Sequence, residues 1–192
     1  DIINLYGADT ARWVMLSDSP PERDLQWTDQ GIVASFKFIN RLYDFILKYK
    51  EFKNVKVDDL ETVSKLKEII NEVSKNIDNF QFNKSVAKIY EFVNIINEAF
   101  AKKRLTKENF GWSLKKLSII LQPFVPHISE EIWSGLGENT LCIEEVWPVE
   151  NFERKVNLNL AIQINGKTKG IIEVDKNLKE EEVIQIDKNK NT

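Results

Sequence analysis

The chain has 192 residues, of which 42% are hydrophobic and 30% charged, so it can bury a core and is not of the disordered class. Its 27 Lys and Arg residues against 30 Asp and Glu residues give a net charge of -3, which excludes the strongly basic class of nucleic-acid-binding proteins. The single Cys and single His exclude an internal disulfide and a multi-histidine metal centre. No stretch approaches the roughly 20 apolar residues of a membrane-spanning helix, so no membrane partner is expected. Because the chain starts at Asp1 without Met or leader, we expect a processed chain or an excised fragment.

Apolar residues recur three and four positions apart through the first three quarters of the chain, which is the pattern of amphipathic helices. Helices are predicted at about residues 8–16, 28–49, from 58 or 59 onward, 83–102, 106–122 and 128–133. The predicted N-caps have short side chains that accept hydrogen bonds from backbone N–H groups, namely Thr28 or Asp29, Asp58 or Asp59, and Thr106. Asp9 is predicted to face the unpaired N–H groups of its own helix.

The second predicted helix has the longest apolar pattern. Its buried face is predicted as one stripe with helical spacing, formed by Ile32, Phe36, Ile39, Tyr43 and Ile46. Three further apolar residues widen this stripe, namely Phe38, Leu42 and Phe45. Its polar side is predicted to carry Lys37, Asn40, Arg41, Asp44 and Lys48. Several such helices joined by short loops predict a mainly α fold, an antiparallel helical bundle.

The pattern changes near residue 156, where apolar and polar residues begin to alternate. Two such runs flank Asn165-Gly166, a strong signal for a hairpin turn, and residues 178–186 are predicted to start a helix. The bundle is therefore predicted to be followed by a small, truncated α/β or β-hairpin piece. This pattern predicts a helical domain over residues 1–150 and a second, unfinished domain over 156–192.

The residues alone favour binding over catalysis. His127 and Cys142 are interpreted as structural, because neither has the neighbours of an activated base or nucleophile. No Gly-rich phosphate loop and no metal-ligand spacing occurs, so no catalytic residue, metal or cofactor is assigned to this chain. Basic clusters such as Lys115-Lys116 are ordinarily solvated surface, whereas Arg41 beside an apolar face has two open roles, a phosphate contact or an internal salt bridge.

Five segments of the helical part form recognisable motifs, namely YGADTAR at residues 6–12, SPPERDLQW at 19–27, FINRLY at 38–43, LQPFVPHISEEIW at 121–133 and WP at 147–148. In these segments the chain resembles the leucyl-tRNA synthetases of bacterial type, which are class I aminoacyl-tRNA synthetases. The segment IQINGKTKG at 162–170 resembles the opening of the C-terminal domain in that family. Neither the HIGH nor the KMSKS signature of the catalytic core occurs in the chain.

This resemblance implies a C-terminal fragment of a leucine–tRNA ligase. Residues 1–150 would form the helical anticodon-binding-type domain, and 156–192 would begin the C-terminal tRNA-binding domain. The parent enzyme would use ATP and Mg²⁺ and act as a cytoplasmic monomer, while this fragment would lack the aminoacylation and editing sites and hold no cofactor. Its partners would be tRNA(Leu) and the parent's own catalytic and editing domains. The candidate tRNA-binding residues are Lys37, Arg41, Lys115, Lys116, Lys167 and Lys169.

Two alternatives remain open from the sequence. The helical part can be a protein-interaction module, for which we expect a large exposed apolar patch and no salt-dependent tRNA binding. The helical motifs are also shared with valyl, isoleucyl and methionyl synthetases, so the same domain of one of those enzymes is the second alternative.

Overall fold

The structure, a computed structural model, describes residues 2–18, 24, 27–53, 55, 59–151, 157–164 and 167–175, with only the backbone described in the last two ranges. The chain divides into two units, Asp1–Phe152 and Glu153–Thr192. The helices described in the first unit are α1 Ile2–Tyr6, α2 Ala8–Ser17, α3 Asp29–Lys50, α4 Leu60–Asp78, α5 Phe82–Ala101, α6 Lys107–Leu121 and α7 Pro126–Gly135. A 3₁₀ helix, Cys142–Glu144, follows them. Within the described ranges, no helix combines the length and the apolar character that crossing a membrane requires.

Three helix starts confirm the predicted caps. Thr28 accepts a hydrogen bond from the backbone N–H of Gly31, and Asp59 accepts one from the N–H of Thr62. Thr106 caps α6 in the same way. Each short side chain satisfies a backbone donor that has no partner inside the first turn of its helix, which fixes the start of the helix.

Two helices differ from the prediction. α1 was not predicted, because five residues are too short to display a helical period. α7 is longer than predicted at both ends and begins at Pro126. Proline has no backbone N–H, but N–H groups in the first turn have no partner within the helix, so no hydrogen bond is lost. The last residue of α7, Gly135, lies so close to α3 that an added Cβ would be 2.6 Å from Cγ2 of Ile46.

The core of the first unit is built from aromatic residues of several helices. Trp13 of α2 stacks on Phe38 of α3 with ring centroids 4.8 Å apart, and both side chains are fully buried. The indole N–H of Trp13 donates a hydrogen bond of 2.9 Å to the hydroxyl of Tyr90 in α5, so its polar atom is satisfied inside the core. Phe110 and Phe124 extend this cluster toward α6 and α7.

The buried face of α3 is rotated relative to the prediction. Phe38, Leu42 and Phe45 are at most 1% exposed and form the centre of the face. Phe36 and Tyr43, which were predicted in the buried stripe, are exposed. The apolar residues cover more than half of this helix, so their spacing alone is compatible with more than one orientation, and packing selects the orientation that places Phe38 against Trp13.

The second unit contains a two-stranded antiparallel sheet, β1 Asn157–Ile164 and β2 Lys167–Asp175. The strands pair from Asn157 with Asp175 to Ile164 with Lys167. The predicted hairpin is confirmed, and so is the mainly α fold class. The predicted turn at residues 165–166 and the predicted helix at 178–186 lie outside the described residues.

Candidate nucleic-acid interface

α3 presents two candidate residues, Lys37 and Arg41, one helical turn apart on its solvent side. Both are exposed, whereas Phe38 and Leu42 beside them are buried. With about 100° of rotation per residue, positions 37 and 41 project within about 40° of each other. The cap at Thr28 and the buried aromatic residues fix the orientation of the helix, and the helix fixes where these two cations emerge.

Arg41 is oriented by an aromatic ring. Its guanidinium carbon lies 5.6 Å from the centroid of the Phe38 ring, within the range of a cation–π contact. Phe38 is itself held by stacking on Trp13. In the part of the chain that the structure describes, no carboxylate forms an ion pair with Lys37 or Arg41, so both retain donors for a phosphate. Of the two roles left open for Arg41, the internal salt bridge is absent among the described residues.

Lys115 and Lys116 of α6 are placed differently, because each has an acidic partner. The Lys115 ammonium lies 2.5 Å from a carboxylate oxygen of Glu138, and that of Lys116 lies 2.9 Å from Glu150. Glu150 is mostly buried, and its backbone exchanges two hydrogen bonds with the side chain of Asn71 in α4. A phosphate would have to compete with these pairs, so α6 is the weaker part of the candidate interface.

Lys167 and Lys169 lie in β2, in the second unit. Lys167 pairs with Ile164 at the turn end of the hairpin. Ile162 pairs with Gly170, and the next residue, Gln163, pairs with Thr168. Lys169 therefore has no partner residue in the register, which is the pattern of a β-bulge.

Asp9 and His127 form a contact that sequence reasoning missed. The buried carboxylate of Asp9 accepts hydrogen bonds from the backbone N–H of Ile128 at 2.8 Å and of His127 at 3.4 Å, at the start of α7. Asp9 lies in the first turn of α2, as predicted, but its carboxylate also caps α7, which was not predicted. The Nδ1 atom of His127 lies 2.8 Å from Asp9, while its side chain remains 75% exposed. His127 therefore lies at the surface, where the Asp9 carboxylate holds its ring.

The titratable groups whose pKa is altered serve the fold. Hydrogen bonds and charge from Glu72 of α4 and Glu91 of α5 raise the pKa of Lys88, which joins these two helices. Burial raises the pKa of the Cys142 thiol to about 11, which agrees with the structural role predicted for it. Among the side chains that the structure describes, no group of three or more His, Cys, Asp or Glu residues is positioned to hold a metal ion.

Comparison with known proteins identifies the family. A family model described as the anticodon-binding domain of tRNA ligase matches residues 59–185, which is well over half of the chain. The chain belongs to this family. The matched range of the anticodon-binding domain contains α4 to α7 and both strands, while α3 precedes it.

Longer matches extend over α3. The leucine--tRNA ligase of Dinoroseobacter shibae is 38% identical over 194 residues, and that of Crocosphaera subtropica is 34% identical over 192, each covering 95% of the chain. A LeuRS of Agrobacterium radiobacter K84, solved as a ternary complex with tRNA and LeuAMS, superposes with a TM-score of 0.76 and 28% identity over 96% of the chain. The chain resembles leucyl-tRNA synthetases, as its motifs indicate, but it spans only 21–22% of these two curated relatives.

Proposed function

We propose that this anticodon-binding domain is part of a leucine–tRNA ligase and that it positions tRNA(Leu) by contacting the phosphate backbone. The observation that carries the proposal is the exposed Lys37 and Arg41 on α3, which have no acidic partner among the described residues. Leucine is preferred over valine, isoleucine and methionine as the substrate because the relatives reported above are leucine--tRNA ligases.

The proposed mechanism is recognition by shape and charge. The major groove of an A-form RNA stem is deep and narrow, so a protein that approaches a stem contacts mainly phosphates and 2′-hydroxyl groups. Such contacts fix the position of the RNA and carry little sequence information. Arg41 suits this role because its planar guanidinium can donate two parallel hydrogen bonds to one phosphate and is already oriented by Phe38.

In this proposal, the catalytic functions of a full-length ligase belong to parts of the enzyme other than this chain. ATP and Mg²⁺ would be bound by the catalytic part of the parent enzyme, and no residue of this chain is proposed to hold them. Lys167 and Lys169 are proposed as a second set of tRNA contacts in the C-terminal domain that begins at about residue 156. The parent is proposed to be a cytoplasmic monomer.

The test measures the affinity of the full-length enzyme for tRNA(Leu) at several salt concentrations. We expect Arg41→Ala and Lys37→Ala each to weaken binding about tenfold and to reduce the slope of log K against log salt by about one. Lys115→Ala and Lys116→Ala are expected to have a smaller effect, about threefold or less, because their charges are already compensated.

Lys84 supplies the matched control, since it is an exposed lysine on a different helix, α5. Lys84→Ala is expected to leave both the affinity and the slope unchanged. If Arg41→Ala and Lys37→Ala behave like Lys84→Ala, this face of α3 does not contact tRNA. Losses of equal size in all four lysine variants and in Arg41→Ala would instead indicate a diffuse electrostatic attraction without a defined contact face.

A further inference from the structure

Phe80 is an exposed aromatic residue at a helix ending where glycine is the usual residue. It follows α4, and its backbone N–H donates to the carbonyl of Ile77, while the N–H of Gln81 donates to the carbonyl of Asn76. These two bonds form a Schellman ending, in which the residue at the place of Phe80 needs a positive φ and is most often Gly. Phe80 has a φ of 56° and is 67% exposed. The fold therefore accepts a strained backbone here and gains little from burying the ring.

The end of α5 has the same backbone geometry with a residue better suited to water. Lys103 has a φ of 54°, and its N–H donates to the carbonyl of Phe100. The N–H of Arg104 donates to the carbonyl of Ala99. The exposed Lys103 side chain ends in a charge that water solvates, whereas the Phe80 ring presents apolar surface to water. Phe80 thus combines backbone strain with apolar exposure, a combination that is typical of residues that contact a ligand.

A chain of ring contacts leads from Phe80 to the turn between α6 and α7. The rings of Phe80 and Phe82 meet edge to face with centroids 6.0 Å apart, and Phe82 meets the buried Phe124 in the same way at 6.4 Å. The carbonyl of Phe124 accepts a hydrogen bond of 2.9 Å from Nε of Arg12 in α2, and the carbonyl of Pro123 accepts one of 2.7 Å from its Nη2 atom. Phe80 and Arg12 therefore lie at the same end of the bundle, and together with Phe82 they are called the Phe80 corner.

Arg12 is an exposed cation with unused donors. Two of its five N–H groups bind the carbonyls of the turn, and these bonds hold the guanidinium in place. The acidic residue of α2, Asp9, binds His127 and the start of α7 instead. No carboxylate within the described ranges forms an ion pair with Arg12. A cation that is already oriented loses less freedom when it binds a phosphate, so Arg12 suits an anion-binding site.

We infer that the Phe80 corner binds an unpaired nucleotide of tRNA, with the base stacked on the Phe80 ring and a phosphate of the same strand on Arg12. The inference rests on the proposed function and adds a site to it, since Lys37 and Arg41 of α3 are proposed to contact phosphates alone. Unpaired bases are commonly held by stacking on aromatic side chains, while nearby cations hold the backbone. Because every base has a flat face, such a site accepts a nucleotide by its shape rather than by its sequence.

A protein segment fits the Phe80 corner less well than a nucleotide does. The apolar part of the corner is one exposed ring beside the half-buried Phe82, whereas the centre of a stable protein interface buries a larger apolar area. The uncompensated charge of Arg12 favours an anionic partner, and a nucleotide supplies a flat ring and an anion together.

The test measures tRNA(Leu) binding by the full-length enzyme at several salt concentrations. Phe80→Gly removes the ring and suits the left-handed backbone, so this variant is expected to fold at least as well as the wild type. We expect it to weaken binding by roughly fivefold or more, as the loss of one stacked base does, with the slope of log K against log salt unchanged because the ring is uncharged. Phe80→Tyr keeps a stacking ring and is expected to bind within about twofold of the wild type. Phe80→Leu keeps an apolar side chain that cannot stack and is expected to lose as much affinity as Phe80→Gly.

Arg12 and Lys84 provide the test of charge and its control. Arg12→Gln keeps a donor for the turn, and we expect it to weaken binding and to reduce the salt slope by about one. Lys84 lies two residues after Phe82 on α5, about 200° around the helix, so its side chain points away from that ring. Lys84→Ala is therefore expected to leave both the affinity and the slope unchanged.

The results separate this inference from the proposed phosphate contacts of α3. Unchanged binding by Phe80→Gly overturns the inference even if Lys37→Ala and Arg41→Ala lose affinity. Full binding by Phe80→Leu would assign the ring to an apolar protein contact, and equal losses in Phe80→Tyr and Phe80→Gly would exclude stacking. Either result overturns the inference, as does an unchanged slope in Arg12→Gln. If the α3 variants behave like Lys84→Ala while the Phe80 and Arg12 variants behave as expected, the α3 face is wrong and the inference stands.

Discussion

The Asp9 carboxylate links α2 to the start of α7, and replacing it is the most direct test of how this bundle is held together. Asp9 is buried, and the N–H group of Ile128 donates to it at 2.8 Å. The Asp9→Ala variant leaves that N–H without its acceptor, in a residue that is only 7% exposed. Asp9→Asn retains one side-chain oxygen and removes the charge. His127→Ala removes an exposed ring from the same carboxylate.

The expected loss of stability follows from these contacts. Removing an N-cap side chain costs about 0.5–2 kcal/mol, and leaving a buried N–H without a partner costs about 1–3 kcal/mol. The two terms overlap, so Asp9→Ala is expected to lower the free energy of unfolding by about 1–3 kcal/mol. Asp9→Asn is expected to cost about 1 kcal/mol, since an amide oxygen still accepts a hydrogen bond. His127→Ala is expected to change stability by less than about 0.5 kcal/mol, like other exposed substitutions.

Urea denaturation of the 192-residue chain, followed by tryptophan fluorescence, provides the assay. All five tryptophans precede residue 148, so the signal reports the helical unit alone. The decisive comparison is between Asp9→Ala and His127→Ala. If both variants lose the same small amount of stability, the buried carboxylate does not hold the start of α7 and the reasoning is refuted.

Two other positions in the helical unit give sharp predictions in the same denaturation assay. Gly135→Ala is expected to destabilise the unit by about 1–3 kcal/mol, because the added Cβ would meet Ile46. A gain in stability, as expected from helix propensity alone, would contradict that contact. Burial raises the pKa of Asp59, but hydrogen bonds from Thr62 and the charge of Arg104 outweigh it, so the pKa lies below its ordinary value. Its contribution is therefore present above about pH 4 and is lost as the pH falls through the folded-state pKa. Asp59→Ala should cost about 1 kcal/mol at pH 7 and progressively less in acid, and a constant difference across the titration would show that its charge is irrelevant.

Local features of the sequence predicted most of the fold. The caps at Thr28, Asp59 and Thr106 each involve an N–H group three residues away, so residue type and spacing were sufficient to place the helix starts. The hairpin was predicted for the same reason, since an alternating pattern on both sides of an Asn-Gly pair is a local signal.

The features that could not be predicted depend on contacts between distant residues. Asp9 lies 118 residues from His127, and a carboxylate in the first turn of one helix gives no sign that another helix uses it. The orientation of α3 is a second case, because the stripe through Phe36 and Tyr43 and the group around Phe38 have equally good helical spacing. Only packing against Trp13 distinguishes them.

The candidate interface depends on which Lys and Arg side chains already pair with a carboxylate. The net charge of the chain does not reveal which ones do. The chain has more acidic than basic residues, yet its acids are used locally: Glu72 and Glu91 bind Lys88, and Glu138 and Glu150 bind the two lysines of α6. A lysine in such a pair must exchange one anion for another when it meets a phosphate, so its net contribution to binding is small. Lys37 and Arg41 of α3 have no such carboxylate partner among the described residues. In the proposed function, a protein with net charge -3 can therefore attract RNA at one face, and Lys37 and Arg41 would set the strength of that attraction.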